Sequence, residues 1–416
     1  MAGTQTEVQA PPSPPVSAHS PVHWVRSNLF PNWWNSLLTL IIAPVLAWAL
    51  YLAARFVFVT GRWEIIRLNL TNLMVARFPR DELWRLWLAA AVLTVVVGLG
   101  IGITAAAAKE AALATGRDKA VPWHEPLRRL GPPATLIAVL MVFVRTATPL
   151  LLLAGVVLLG AVSYRVGRRL PHERRKLVNL AVIAGVIVAM VAITGFDGVP
   201  IAAWGGFLIT AYFTIATLLI AFPIGLAVAL GRRSTLPVMR GVCGVYIEFF
   251  RGAPLVTLLF MGWLVLGFFL PPGIEAPGRI SRALVIFILF TSAYVAEIVR
   301  GGLQGVPRGQ WEAAQALGLS PWRQVRLIIL PQALRSVIPA LVGQAISLFK
   351  DTTLVFIIAV PDLLRVSRAL TSQEQFLGQG LIAETMVFIS LIYWVGSYWM
   401  SRESQRLEKR LGVGER

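Results

Sequence analysis

The chain has 416 residues, of which 56% fall in the hydrophobic set and only 14% are charged. Ordinary soluble domains carry about 25% charged residues, so this composition excludes a soluble globular protein and a disordered one alike. Against 20 Asp and Glu stand 38 Lys and Arg, a formal charge of +18. These bases gather in short clusters between apolar runs, such as Arg165, Arg168, Arg169, Arg174, Arg175 and Lys176, which is the pattern of cytoplasmic loops and not of a nucleic-acid surface.

Residues 1–35 are rich in Pro and Ser and lack the basic start and apolar core of a cleaved signal peptide. They read as a flexible tail that enters the membrane interface at Trp33 and Trp34. Apolar runs follow at about 36–59, 87–108, 134–164, 177–194, 207–230, 255–271, 282–300, 336–360 and 384–400. A spanning helix needs about 20 residues, so most of these qualify. The run 134–164 is interrupted by Arg145 and Pro149 and is open between one kinked helix and a hairpin of two. Positive-inside counting does not orient the first half. Arg62, Arg67, Arg77, Arg80 and Arg85 in the loop 60–86 balance Lys109, Arg117, Lys119, Arg128 and Arg129 in 109–133.

The second half orients itself. Arg232, Arg233, Arg240 and Arg251 between the spans at 207–230 and 255–271, Arg308, Arg323, Arg326 and Arg335 in 301–335, and Arg402, Arg406, Lys409 and Arg410 in the tail mark cytoplasmic segments. Counting back places 195–206, which holds no Lys or Arg, on the outer side. The fold class is therefore an all-α integral membrane protein, a polytopic helical bundle of about 9 or 10 transmembrane helices. It divides into a tail (1–35), an accessory transmembrane region (36–203) and a transmembrane core (204–416). Cys243 is the only cysteine, and His19, His23, His124 and His172 are scattered, so neither a disulfide nor a structural zinc site is expected.

The segment 301–335 carries the most information. Trp311, Ala314 and Leu317 recur at helical spacing, Gly318 suits a helix C-terminus, and Ser320-Pro321 suits the next N-terminus. Glu312 is expected in the first turn, where a carboxylate meets the helix dipole favourably. Glu312-Ala313-Ala314, then Gly318, then Ile328, Leu330 and Pro331, resembles the EAA signature of permease subunits of bacterial ATP-binding-cassette importers. The stretches Tyr246–Leu255 and Ala293–Gly302 are similar to the polar amino-acid uptake branch. Trp33-Trp34-Asn35 and Glu82–Arg85 are similar to the longer permease of the general L-amino-acid systems.

This resemblance implies a five-helix permease core in the bacterial inner membrane, with 301–335 docking on a separate ATPase. The implied partners are an ATPase dimer, a second homologous permease, a periplasmic amino-acid-binding protein, the lipid bilayer and an amino-acid substrate. No nucleic acid is involved. ATP and Mg are then held by the ATPase, because the five lysines, Lys109, Lys119, Lys176, Lys350 and Lys409, follow Ala, Asp, Arg, Phe and Glu and complete no P-loop. No catalytic or metal-binding residue is expected in this chain.

Charges inside apolar runs point to a solute path, because each costs at least about 2.5–3.5 kcal/mol at mid-membrane. Lys350, Asp351, Thr352 and Thr353 form the sharpest case. They stand open between contact with a zwitterionic amino acid and a structural ion pair. Glu248, Arg251, Glu297 and Arg300 are candidates for structure or gating, with Glu297 and Arg300 one turn apart. An ion-driven secondary transporter and, further off, a membrane enzyme are the rival classes.

Overall fold

The computed structural model describes residues 21–114, 124–144, 146–170, 175–195, 197–269, 271, 273 and 275–411. The tail over 1–20, and with it His19, as well as Arg117, Lys119, Arg145, His172 and Arg174, lie outside the described residues.

Contacts divide the chain into two units, 1–62 and 63–416. In the first, α1 (Pro21–Leu29) is followed by α2 (Trp33–Arg55), which continues through a π-helical turn to Thr60. The described part of the expected flexible tail is therefore largely helical. Asn32 caps α2 by accepting the Asn35 N–H at 2.9 Å, and Trp33 stacks on Trp34 with ring centroids 3.9 Å apart. None of the α2 span is buried. A helix that is apolar on every side and covered by nothing is suited to lipid.

The second unit runs α3 (Glu64–Val75), α4 (Leu83–Ala114), α5 (His124–Val142), α6 (Ala147–Arg169), α7 (Arg175–Thr194), α8 (Gly206–Arg232), α9 (Pro237–Gly252), α10 (Leu255–Leu264) and α11 (Arg279–Gln304). It continues with α12 (Arg308–Ala316), α13 (Pro321–Gln324), α14 (Leu330–Asp351), α15 (Leu363–Leu370) and α16 (Ile382–Leu411). Among the described residues, 7 helices are long and apolar enough to cross a membrane, or 8 if the bent pair α9–α10 is one span. A shorter apolar stretch, Leu180–Thr194 in α7, falls on the expected run 177–194. The run 134–164 is two helices, α5 and α6, of which α6 is long enough to span alone.

Two segments expected as loops hold helices. One is α3, within 60–86. The other is α9, which meets α10 at 104° beside Pro254, whose missing N–H cannot continue the ladder.

Helices in lipid gain little from hydrophobic burial against one another and associate through close backbone approach at small residues. Helices α4 and α6 meet this way. Gly98 and Gly102 lie one turn apart, and a Cβ on Gly102 would collide with the Tyr164 carbonyl while one on Gly167 would collide with that of Leu99. The α8–α11 contact is similar, since a Cβ on Gly225 would sit 2.7 Å from the Ser292 carbonyl.

The undecided loop is also placed. Arg85 Nη1, at the start of α4, donates to the carbonyls of Ala192 and Gly195 at 3.2 Å each. The start of α4 therefore lies on the same side as the Lys- and Arg-free segment 195–206, which the basic clusters of the second half lead one to expect outside. On that side α3 buries Ile65, Ile66 and Leu73 in a cluster with Leu363, Leu370, Phe376 and Phe388. Gln373 Nε2 donates to Asn69 Oδ1 at 3.0 Å, joining α3 to the loop after α15.

The fully buried Asp362 caps α15 by accepting the N–H groups of Leu364 at 3.1 Å and Arg365 at 3.0 Å. Burial pushes its carboxyl up to about 7, and these backbone donors pull the other way without prevailing. The folded chain holds this proton where the unfolded chain has lost it, so the stability contributed here falls as pH rises from 3.8 to about 7 and is level above. Asp362→Asn keeps a capping oxygen and removes the titration. Thermal unfolding in detergent should show the variant gaining on the wild type between about pH 4 and about pH 7 and holding level above; a gap independent of pH contradicts the assignment.

Candidate coupling loop and translocation path

The segment 305–330, expected on the cytoplasmic side from its basic residues, forms a knob of two short helices. Helix α12 ends in a Schellman turn: Gly318 N–H donates to Gln315 O at 2.9 Å and Leu319 N–H to Ala314 O at 3.3 Å. Gly318 has φ +68°, a left-handed conformation in which a side chain is strained. Pro321 opens α13 at the first helical position, as expected, but the Ser320 side chain makes no capping bond. Glu312 lies one turn further in than expected. Helix α12 begins at Arg308, so Glu312 sits beyond the first turn, where the dipole attraction has faded.

From α13 the chain passes through a π-helical turn, Val325–Ile329, directly into α14. One helical run thus carries the knob into the membrane, longer at its cytoplasmic end than the apolar run 336–360.

The motif residues divide by exposure. Ala314 is fully buried, and Ile328 and Leu330 pack at the root of the knob around Ile329, Ala333, Leu303 and Val299. Glu312, Ala313, Gly318 and Pro331 face outward. Sequence reasoning missed three neighbours. Leu317, Trp322 and Leu327 are 74%, 62% and 61% exposed on a basic, water-facing loop. Large apolar side chains in such a loop are the signal that could have found them. Arg233, at the end of α8, holds the knob by donating to Leu303 O at 2.9 Å and lying 4.9 Å over the Trp311 ring. A cleft of about 360 Å³ opens here, lined by Arg233, Leu303, Val306, Arg308, Trp311 and Glu312.

Three of the four candidate gating residues, Glu248, Arg251 and Glu297, form ties between helices, and Arg300 pairs within its own. Glu297 accepts two bonds from Arg300, at 2.6 and 2.9 Å, and pairs with Arg251 at 3.6 Å, joining α9 to α11. Glu248 pairs with Arg232 at 2.9 Å, joining α9 to α8. Tyr246 adds a hydrogen bond with the Ser292 hydroxyl at 2.6 Å.

The path candidates Lys350, Asp351, Thr352 and Thr353 sit at the C-terminal end of α14. Lys350 is exposed and Asp351 half-buried, and they form no ion pair with each other or with any described residue. Thr352 is buried, its hydroxyl donating to Phe349 O at 2.7 Å, while Thr353 donates to Lys350 O at 2.8 Å. Lys350 continues a stripe. Gln332, Ser336, Ala340, Gly343 and Ser347 are exposed at successive helical turns of α14. No large apolar residue between Leu327 and Leu377 is exposed, and a Cβ on Gly343 would meet nothing within 4 Å. By contrast, α8 turns Ile215, Leu219, Ile220 and Phe222 outward. The face of α14 is thus unlike a surface made for lipid.

Residues 221–413 match the family described as binding-protein-dependent transport system inner membrane component. The chain is 36% identical, over 94% of its length and 93% of the relative's, to the inner membrane amino-acid ABC transporter permease protein YhdY of Escherichia coli K12. It is 31% identical, over 98% of its length and 97% of the relative's, to the glutamate/glutamine/aspartate/asparagine transport system permease protein BztC of Rhodobacter capsulatus. Among solved structures, it is similar to a chain from the crystal structure of an amino acid ABC transporter with histidines, at 31% identity over 48% of this chain and 90% of that one, with a TM-score of 0.43.

The Schellman turn generates a local test. Gly318→Val forces a β-branched residue into the left-handed region at a cost of about 1–2 kcal/mol. Hydrogen exchange at the Leu319 amide should quicken about tenfold, and unchanged exchange would show that the turn does not depend on glycine.

Proposed function

The chain belongs to the ABC transporter permease family and is a multi-pass inner-membrane protein; from that premise we propose that it forms half of the passage through which an ATP-driven importer moves L-amino acids into the cell. The observation that carries this reading is the exposed face of α14. Polar and small residues recur along it from Gln332 to Lys350, and no large apolar side chain interrupts them. Such a face suits a water-filled path or a second membrane subunit. A second, homologous permease placed opposite would close the path between the two copies.

Lys350 and Asp351 lie at the outer end of this stripe without an ion-pair partner. An ammonium and a carboxylate one residue apart complement the carboxylate and amine of a zwitterionic amino acid. The exposed Leu317, Trp322 and Leu327 suit a groove on an ATPase dimer, which would hold the ATP and Mg. No step of hydrolysis is assigned to this chain. Closure of the ATPase pair would push the knob, and the continuous run from α13 into α14 would pass that displacement to the path. The ties of Arg251 to Glu297, and of Arg232 to Glu248, would keep α8, α9 and α11 moving as one body. A binding protein that delivers amino acid on the outer side would bias the outward-facing state only by binding it more tightly than the inward-facing one.

Proteoliposomes holding this chain, its second permease and the ATPase test the reading. Uptake of amino acid should require binding protein outside and ATP inside, and uptake driven by an ion gradient without ATP would contradict it. Lys350→Ala and Asp351→Asn each remove a charged hydrogen-bonding partner, a loss of about 1.5–3 kcal/mol. The KM for binding-protein-delivered amino acid should rise, or the rate fall, by about tenfold or more. Unchanged kinetics in both variants would make the pair structural.

A further inference from the structure

The outer surface carries arginines that membrane orientation does not explain. Loop arginines direct a segment to the cytoplasm, so those kept outside oppose the orienting signal. Helix α15 lies between the spans α14 and α16, opposite the cytoplasmic knob and the basic tail, and hence outside. Its inner face, Leu363, Ser367 and Leu370, is buried, and its outer face shows Arg365 and Arg368. Both guanidinium groups are held around one residue. Arg365 Nη1 donates to Phe356 O at 3.3 Å, and Arg368 lies 5.1 Å over the Phe356 ring. Neither forms an ion pair with a described residue.

Helix α3 packs beside α15 and is fastened to the following loop by the Gln373–Asn69 hydrogen bond. It adds an exposed third cation, Arg67, also outside any ion pair of the described residues. The capping of α15 by Asp362 and the docking of α3 make this a rigid platform. Cations fixed before contact lose little freedom on binding, and unpaired ones steer an oppositely charged partner.

We propose that α15, with α3 docked beside it, is the seat for an acidic rim of the solute-binding protein, recognised through Arg365, Arg368 and Arg67. The proposal rests on the importer reading and deepens it by giving the partner's chemistry. It also gives the accessory region before residue 204 a part in docking.

The test uses the whole transporter in nanodiscs of neutral lipid, probed with its purified, fluorescently labelled solute-binding protein loaded with amino acid. Arg365→Glu/Arg368→Glu should weaken association about tenfold or more at low ionic strength, and Arg67→Glu should weaken it to a smaller extent. Added salt should weaken the wild type and, by screening the repulsion that the glutamates introduce, leave the double variant unchanged or slightly tighter. Arg365→Lys/Arg368→Lys, which keeps the charge, should bind almost as the wild type does, separating lost charge from lost folding. Wild-type affinity in the double glutamate variant overturns the proposal. So does a defect that appears only in nanodiscs containing anionic lipid, which would make the platform a headgroup site. If the wild type shows no uptake dependent on the binding protein, the importer reading itself fails, whatever the arginines do.

Discussion

Everything in this protein depends on how helices adhere where hydrocarbon surrounds them. Lipid tails are as apolar as leucine, so burying leucine between two helices gains little, and cohesion comes from close approach of backbones. The chain places small residues accordingly. Gly98 and Gly102 of α4 lie against Gly160, Ser163 and Gly167 of α6, and Gly225 of α8 lies against Ser292 of α11. Small residues in a membrane helix therefore mark contacts, and in α14 the contact is missing. Ala340, Gly343 and Ser347 are exposed along a span whose neighbours turn Leu, Ile, Val and Phe outward. The same physics that explains the bundle thus marks this face as one that a lone chain leaves unsatisfied.

That face and the cytoplasmic knob belong to one mechanical element. The knob is rooted in a buried cluster of Val299, Leu303, Ile329 and Ala333, and clasped by Arg233 through Leu303 and Trp311. Its tip shows apolar side chains to water. Between root and path there is no loop to absorb motion, only a π-helical turn within a continuous helical run. In the proposed mechanism a push at Trp322 or Leu327 would have a helical path into α14, interrupted in its backbone hydrogen bonds at Pro339.

Much of this was legible in the sequence because the signals were local. Apolar runs gave the spans, and Gly318 with Pro321 gave the knob's turn. What escaped needed contacts between distant residues. The bases of 60–86 and 109–133 balanced, and only the reach of Arg85 to Ala192 and Gly195 put the start of α4 on the same side as 195–206. Helix α3 was hidden in a loop because its apolar positions, Ile65, Ile66 and Leu73, are too few for a span and acquire meaning only against α15 and α16. Glu312 was misplaced by a turn because helix starts are set by the chain before them, here Pro307-Arg308. Lys350 and Asp351 were visible as charges, but that they form no ion pair was not.

The central claim is that the exposed face of α14 borders water in the assembled transporter. Single cysteines placed by Ser336→Cys, Ala340→Cys, Gly343→Cys and Ser347→Cys in a Cys243→Ser background test it directly. A membrane-impermeant maleimide should label these positions, and labelling should change when ATP and the loaded binding protein are supplied. Ile215→Cys and Leu219→Cys on α8, equally exposed in the lone chain but facing lipid, should stay unlabelled. If the α14 positions are as inert as those of α8 in every condition, α14 does not line the path and the account is wrong.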